Sequence, residues 1–326
     1  MKKQVKPSDI TFVLQGPVIK DITILSIQKI KILFPGSQII LSTWENSQLS
    51  GIVVDKCILT ADPGTTIDAF DKNNQPYFVN INRQILSTFQ GIKSVTTKYC
   101  VKMRTDNYLE KNSLLEWLFM FEARDKRFSI FNNRIVSSNY FAKEFAKGVR
   151  IPYFISDFFQ FGETSDLLTL WDIGFYEAYS FNEKIKNKMQ HKYYPHRLLH
   201  VEQELWLKLL NKFEHIELHD EYGTKQDIEK SYQYMINNII IVDGDLLGLV
   251  VPDRLKEVNY SPYYFYSFER WKWLYEKTFK IDLKVNLGFK LKWSLAYIYN
   301  FLTTGYRVKA RSYLFHRKDR RQGYSK

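Results

Sequence analysis

Between Ile10 and Leu109 the hydrophobic period switches repeatedly, and this alternation constrains the fold more than any other feature of the chain. Ile10 to Leu14 is a short apolar run ending at Gln15-Gly16-Pro17, which predicts a strand. Ile24, Ile27, Ile30 and Leu33 recur about three apart and predict a helix within Ile22 to Leu33, stopped by Pro35 and Gly36. Gln38 to Ser42 and Gly51 to Leu59 read as further strands, ending at Thr43-Trp44-Glu45 and at Thr60-Ala61-Asp62-Pro63-Gly64. Ile81, Ile85, Phe89 and Ile92 form a stripe on a helix over Asn80 to Val95, with Arg83, Gln84 and Ser87 off the stripe. Strands alternating with helices predict an α/β fold with a mostly parallel, doubly wound sheet flanked by helices.

The next strand is KYCVKMRTDNYL, Lys98 to Leu109. Tyr99, Val101, Met103 and Thr105 alternate onto one face; Lys98, Cys100, Lys102, Arg104 and Asp106 lie on the other. A central strand of such a sheet is normally apolar on both faces. Its charges must therefore pair with each other, reach solvent or meet a charged ligand, because unpaired burial costs several kcal/mol. Ligands of open α/β sheets sit outside the carboxyl ends of the strands, where Arg104 and Asp106 fall. An internal Arg104–Asp106 ion pair is the competing expectation. Gln15, Glu45, Asp62 and Asp106 each end a strand; together on one edge they would make a site.

Glycine-rich dinucleotide and P-loop fingerprints are absent, which disfavours an NAD enzyme or a P-loop NTPase. Cys57 and Cys100 lie in strand-like runs and read as buried thiols without disulfide or zinc spacing, so a reducing cytoplasm is expected. No run reaches the 18 or so apolar residues of a membrane span.

Further along, Asn112 to Phe121 reads as a helix, Arg127 to Phe131 as a strand, and Tyr153 to Gly162 as strongly β-like with one acid, Asp157. Ser165 to Trp171 begins another helix, capped by Thr164 or Ser165. On a wheel of Val201 to Phe213, Glu202 falls among Val201, Leu205, Trp206, Leu209 and Phe213, while Glu204 falls opposite. An acid on the inward side either satisfies the helix N-terminus or lines a pocket. His196 and His200 are four apart, but Pro195 and the lack of a nearby third ligand argue against zinc. Asp243-Gly244 between apolar runs predicts a hairpin turn.

Net charge is +12, and it is concentrated. From Phe289 to Lys326 ten Lys and Arg stand against one acid, Asp319, a net +9. Trp293 to Leu302, WSLAYIYNFL, is apolar, aromatic and too short to span. It suits a helix lying on an anionic membrane surface, with a last core helix and a solvated basic end as the alternative. No RNA-recognition motif accompanies the basic residues, so nucleic acid is not an expected partner.

FVLQGPV, FPGSQIILSTWE, DPG, NINRQILSTFQGIKSV and KYCVKMRTDNYL occur in this order from Thr11 to Leu109, and SDFFQFGETSDLLTLW and VEQELWLKLL follow. Together they resemble the WavE lipopolysaccharide synthesis family, up to about Leu255. The resemblance implies a GT-A-type nucleotide-sugar glycosyltransferase that builds lipopolysaccharide or capsule, with the donor over the carboxyl ends of the first strands. It implies that Gln15, Gly16 and Pro17 lie near the nucleotide; with the strand-end acids Glu45 and Asp62, and with Arg83, Lys102, Arg104 and Asp106, they make up the expected donor site. Asp106 would take the metal-binding place of a DXD motif for Mg²⁺ or Mn²⁺. Thr105-Asp106-Asn107 has one carboxylate, so Lys102, Arg104 and Arg83 are expected to neutralise phosphate instead of, or beside, a cation. An inverting enzyme needs a catalytic base, for which Glu202 and Asp157 are the candidates.

The implied organisation is a nucleotide-sugar-binding α/β half over 1–165, an acceptor-side half of the same domain over 166–288, and a basic amphipathic tail over 289–326. The implied acceptor is a lipid-linked glycan, and the implied location is cytoplasmic, peripheral on the inner leaflet of the bacterial inner membrane. A sugar nucleotidyltransferase and a non-catalytic component of an envelope assembly complex are the alternatives. QGPVIKD after the first strand is a poor phosphate loop for the former.

Overall fold

Six strands of one sheet run in the same direction and a seventh runs against them. The computed structural model describes residues 5–71, 73, 75–179, 199–218, 220–256, 262–310 and 313–314. The strand β1 (Ile10–Gln15) leads to α1 (Lys20–Leu33), β2 (Gln38–Trp44) and β3 (Lys56–Thr60). A hairpin, β4 (Thr66–Phe70) and β5 (Pro76–Val79), precedes α2 (Ile81–Lys93) and β6 (Tyr99–Arg104). The second half supplies β7 (Tyr108–Leu109), β8 (Ile135–Ser138), the hairpin β9 (Phe145–Ala146) and β10 (Val149–Arg150), then β11 (Gln160–Glu163) and α3 (Thr164–Trp171). It continues with α4 (Val201–Leu210), α5 (Lys225–Asn238), β12 (Ile239–Val242), α6 (Gly244–Leu247), β13 (Leu249–Val250), α7 (Asp253–Lys256), α8 (Phe268–Phe279) and α9 (Leu287–Asn300).

The sheet order is β12-β8-β11-β6-β1-β2-β3, with β11 antiparallel to both neighbours. This is the expected mostly parallel α/β sheet flanked by helices. In register, Gln15 lies beside Ser42 and Arg104, so the ends of β1, β2 and β6 align. Phe12, Leu14, Val101 and Met103 are fully buried, as central strands covered on both faces require. Helix α2 packs so closely on the sheet that a Cβ at Gly91 would lie 2.5 Å from Val13 Cγ1 and 3.0 Å from Ser42 Cβ.

Several sequence expectations are corrected. Asn112 to Phe121 holds only a short 3-10 turn, Ser113–Glu116, and Arg127 to Phe131 is no strand. The backbone there is satisfied by side chains of distant residues: Asn238 Oδ1 accepts from Ile130 N and Phe131 N, and the Asp166 carboxylate accepts from Asn132 N and Asn133 N. In the β-like run Tyr153 to Gly162 the strand begins only at Gln160, because Tyr153 N donates to Ser231 Oγ and the Asp157 carbonyl accepts from side chains. The α3 helix starts at Thr164 with Glu163 at its cap position. The Val201 helix ends at Leu210, short of Phe213. Asp243-Gly244 makes no hairpin turn: β12 pairs in parallel with β8, and Asp243 stands at the cap of α6 and accepts from Phe268 N and Asn139 Nδ2. Cys57 is exposed, since β3 is the sheet's edge strand, whereas Cys100 is buried. His196 lies outside the described residues, and His200 caps α4 and pairs with Glu221 at 2.8 Å.

Candidate functional site

The strand ends are tied together by short hydrogen bonds. Thr105 N donates to Gln15 O, Thr105 Oγ1 to Pro17 O at 2.6 Å, and Gly16 N to Ser42 O at 3.1 Å. Gln15 Oε1 accepts from Ser87 Oγ at 2.9 Å. An open cleft of about 530 Å³ lies at this edge. Gln15, Gly16, Pro17, Asp62, Arg83, Arg104 and Asp106 all line it. The polar face of α2, with Asn80 before it, forms one wall rather than facing bulk solvent: Asn80, Arg83, Gln84 and Ser87 line the same cleft.

Two arginine–aspartate pairs dominate its charge. Arg83 bonds Asp62 through both Nε and Nη2, at 2.7 and 2.6 Å, and donates from Nη1 to Asn80 Oδ1 at 2.7 Å. The hydrogen bond from Arg83 holds the Asp62 carboxyl below its ordinary range. Arg104 bonds Asp106 in the same bidentate manner, at 2.7 and 2.6 Å, and its guanidinium lies 5.1 Å from the Phe158 ring. Burial opposes the Arg104 charge, but Asp106 more than offsets it, and the guanidinium is held more firmly protonated than usual. The Arg104 side chain is 29% exposed and that of Asp106 only 3%. The surface offered to a ligand is therefore the cation.

Lys102 does not reach the cleft. It is fully buried, donates to the Asp157 carbonyl, and stands 4.8 Å from the Trp171 ring. Burial, partly opposed by the Asp157 carboxylate, pulls its pKa down to about 7. Asp157 and Glu202 come together in a second, much smaller cavity of about 30 Å³ lined by Leu170, Trp171, Leu205 and Trp206. Burial, and then the charge of Asp157, raise the Glu202 pKa. The Asp157 carbonyl also accepts from Gln84 Nε2 at 3.4 Å, and the Asp157 charge acts on Arg104, so the cavity lies directly beside the cleft.

The family model for WavE lipopolysaccharide synthesis matches residues 10–306. The chain belongs to the WavE lipopolysaccharide synthesis family. Membership gives it a role in lipopolysaccharide synthesis. No curated protein matches the chain.

In this WavE-family protein Glu45 is exposed and does not line the cleft; its neighbour Trp44 does. Successive strand residues point to opposite faces, so choosing between these neighbours needed the register of β2 against β3. Thr105 and Leu255 also line the cleft without a signal in the sequence, whereas Ser87 lines it from the polar side of α2 that the sequence shows. The residues present do not fit the Mg²⁺ or Mn²⁺ ion expected at Asp106. Both carboxylate oxygens accept from Arg104, the side chain is nearly covered, and no cluster of three His, Cys, Asp or Glu suited to a metal occurs among the described residues. No described helix is long and apolar enough to cross a membrane.

Proposed function

We propose that this WavE-family protein is a GT-A-type glycosyltransferase that moves a sugar from a nucleotide-sugar donor to a growing lipopolysaccharide or capsule glycan. The observation that carries this reading is the meeting of two guanidinium groups, Arg83 and Arg104, in one open cleft at the carboxyl ends of parallel strands. In such a transfer the bond from the anomeric carbon to the donor phosphate breaks and a bond to the acceptor hydroxyl forms. Positive charge grows on the sugar and negative charge on the leaving diphosphate. Preorganised guanidinium groups at that phosphate stabilise the transition state more than the ground state. Their bidentate partners, Asp62 and Asp106, hold them in place before the donor arrives. Trp44 gives the cleft an apolar, planar wall suited to a base.

In an inverting reaction the acceptor proton passes to a carboxylate, and Glu202 and Asp157 are the paired candidates. A group with a raised pKa near a second acid is suited to that role. A lipid-linked acceptor would place this chemistry at the cytoplasmic leaflet of the inner membrane.

The test is thermal stabilisation of the purified protein by UDP, CDP, CMP, GDP and dTDP, each with Mn²⁺ and with EDTA. One nucleotide class should raise the melting temperature, to the same extent in both conditions, because the arginines meet the phosphates. A Mn²⁺-dependent shift would return Asp106 to the metal-binding role. No shift with any nucleotide, nor with intact nucleotide sugars, would overturn the transferase reading.

A further inference from the structure

Helix α9 is apolar on two opposite sides, and one of them is covered. Its inner side is fixed to the body. Trp293 is 5% exposed and packs 4.0 Å from the Arg270 guanidinium, edge-on to Trp273 at 5.4 Å. Arg270 is itself held by the buried carboxylate of Glu144 at 2.7 Å. Tyr297 lies under Arg150 at 4.9 Å, and Lys290 bonds Glu276 at 2.8 Å. At the helix's end the backbone of Gly305 meets that of Gly148 so closely that a Cβ on either glycine would overlap the other strand of chain. The helix is thus part of the folded body, held in one orientation.

The outer side carries Leu287, Leu291, Leu295, Ile298 and Leu302, exposed by 80, 60, 58, 52 and 63%, with Tyr299 beside them at 68%. At 100° per residue the first four fall within one quadrant, and the stripe runs roughly 22 Å. No described residue covers it. A helix apolar on both sides is otherwise found buried on both. Its flanks decide what covers this one. Residues 287–310 contain Lys290, Lys292, Arg307 and Lys309 and no acid, and the sequence beyond adds six cations against Asp319. A second copy of the same face would bring like charges together, whereas an anionic lipid surface offers both apolar depth and opposite charge.

We infer that the outer face of α9 is a membrane-docking surface that lies in the headgroup region of an anionic bilayer, with Leu291, Leu295 and Ile298 as its apolar anchors. The inference stands apart from the transferase reading, because it uses no residue of the cleft. It is tested by co-sedimentation of the full chain with vesicles of phosphatidylcholine alone and of phosphatidylcholine mixed with phosphatidylglycerol. The wild-type chain should sediment with the mixed vesicles and release as salt is raised. The triple variant Leu291→Asn/Leu295→Asn/Ile298→Asn should lose binding by about tenfold or more, with its unfolding midpoint and nucleotide stabilisation unchanged. Should that variant unfold early, Lys292→Gln/Arg307→Gln/Lys309→Gln decides, since all three side chains are exposed. Wild-type sedimentation by the well-folded variant, or no sedimentation by the wild-type chain, overturns the inference. So does a dimer in light scattering that the leucine variant makes monomeric, which would assign the face to a second copy.

Discussion

Arg104 covers Asp106: the guanidinium spans both carboxylate oxygens at 2.7 and 2.6 Å, and only the arginine is appreciably exposed. The two partners therefore differ in what their loss leaves behind. Arg104→Met removes the bidentate cationic partner of a buried carboxylate and should cost about 3–5 kcal/mol. Asp106→Asn leaves a guanidinium that water can reach and should cost about 1–2 kcal/mol. Urea denaturation of the two variants measures the difference, and equal losses would contradict the burial asymmetry. Asp106→Asn should also abolish sugar transfer in a folded protein, because Arg104 loses its aim.

The Arg83–Asp62 pair is bidentate but open to solvent, with side chains 31% and 39% exposed. Such pairs contribute about 0–1 kcal/mol to stability. Arg83→Gln should leave the unfolding midpoint nearly unchanged while weakening nucleotide binding by about tenfold, the loss of one charge-assisted phosphate contact. Isothermal titration with the stabilising nucleotide checks this; undiminished affinity would remove Arg83 from the site.

Buried Lys102 makes stability depend on pH in a defined window. Its folded pKa is about 7 and its ordinary value 10.5. Between these the unfolded chain holds the proton that the native state has lost, so this group's contribution becomes more favourable as pH rises, and its penalty is complete below about 7. Lys102→Met should stabilise the protein at pH 6 by roughly 2–4 kcal/mol, less what the lost bond to the Asp157 carbonyl costs. The gap should close toward pH 10. Urea midpoints across that range would show it, and a gap that does not vary with pH would refute it.

Glu202 acts with the opposite sign. Its folded pKa is raised by burial and by Asp157, so the native state keeps a proton that the unfolded chain releases. Its contribution therefore worsens as pH rises from the ordinary glutamate range through the raised value. Glu202→Gln should be more stable than wild type at neutral pH and equal to it at about pH 4. It should retain nucleotide binding and lose turnover; lost binding would make Glu202 a structural residue.

Local pattern was enough for β1, α1, β2, α2 and β6, because each is set by a period that its own residues display. It also brought Gln15, Asp62, Arg104 and Asp106, but not Glu45, to one cleft, since strand ends in a parallel sheet share an edge; Arg83 joins them from α2. What the pattern could not hold was partnership across the chain. Asn238 and Asp166 bond backbone more than thirty residues away and turn the apparent strand at Arg127 to Phe131 into an ordered loop. Lys102 sits on the same strand as Arg104, yet Asp157 draws it under the sheet's cover while Arg104 stays at the cleft. Two apolar sides of α9 look alike in sequence, and only the packing of Trp293 on Arg270 decides which one is left outside. Secondary structure follows from short-range sterics and burial period, which one stretch of sequence carries. Burial of charge and the choice of hydrogen-bond partner depend on residues far apart in the chain, and folding alone brings those together.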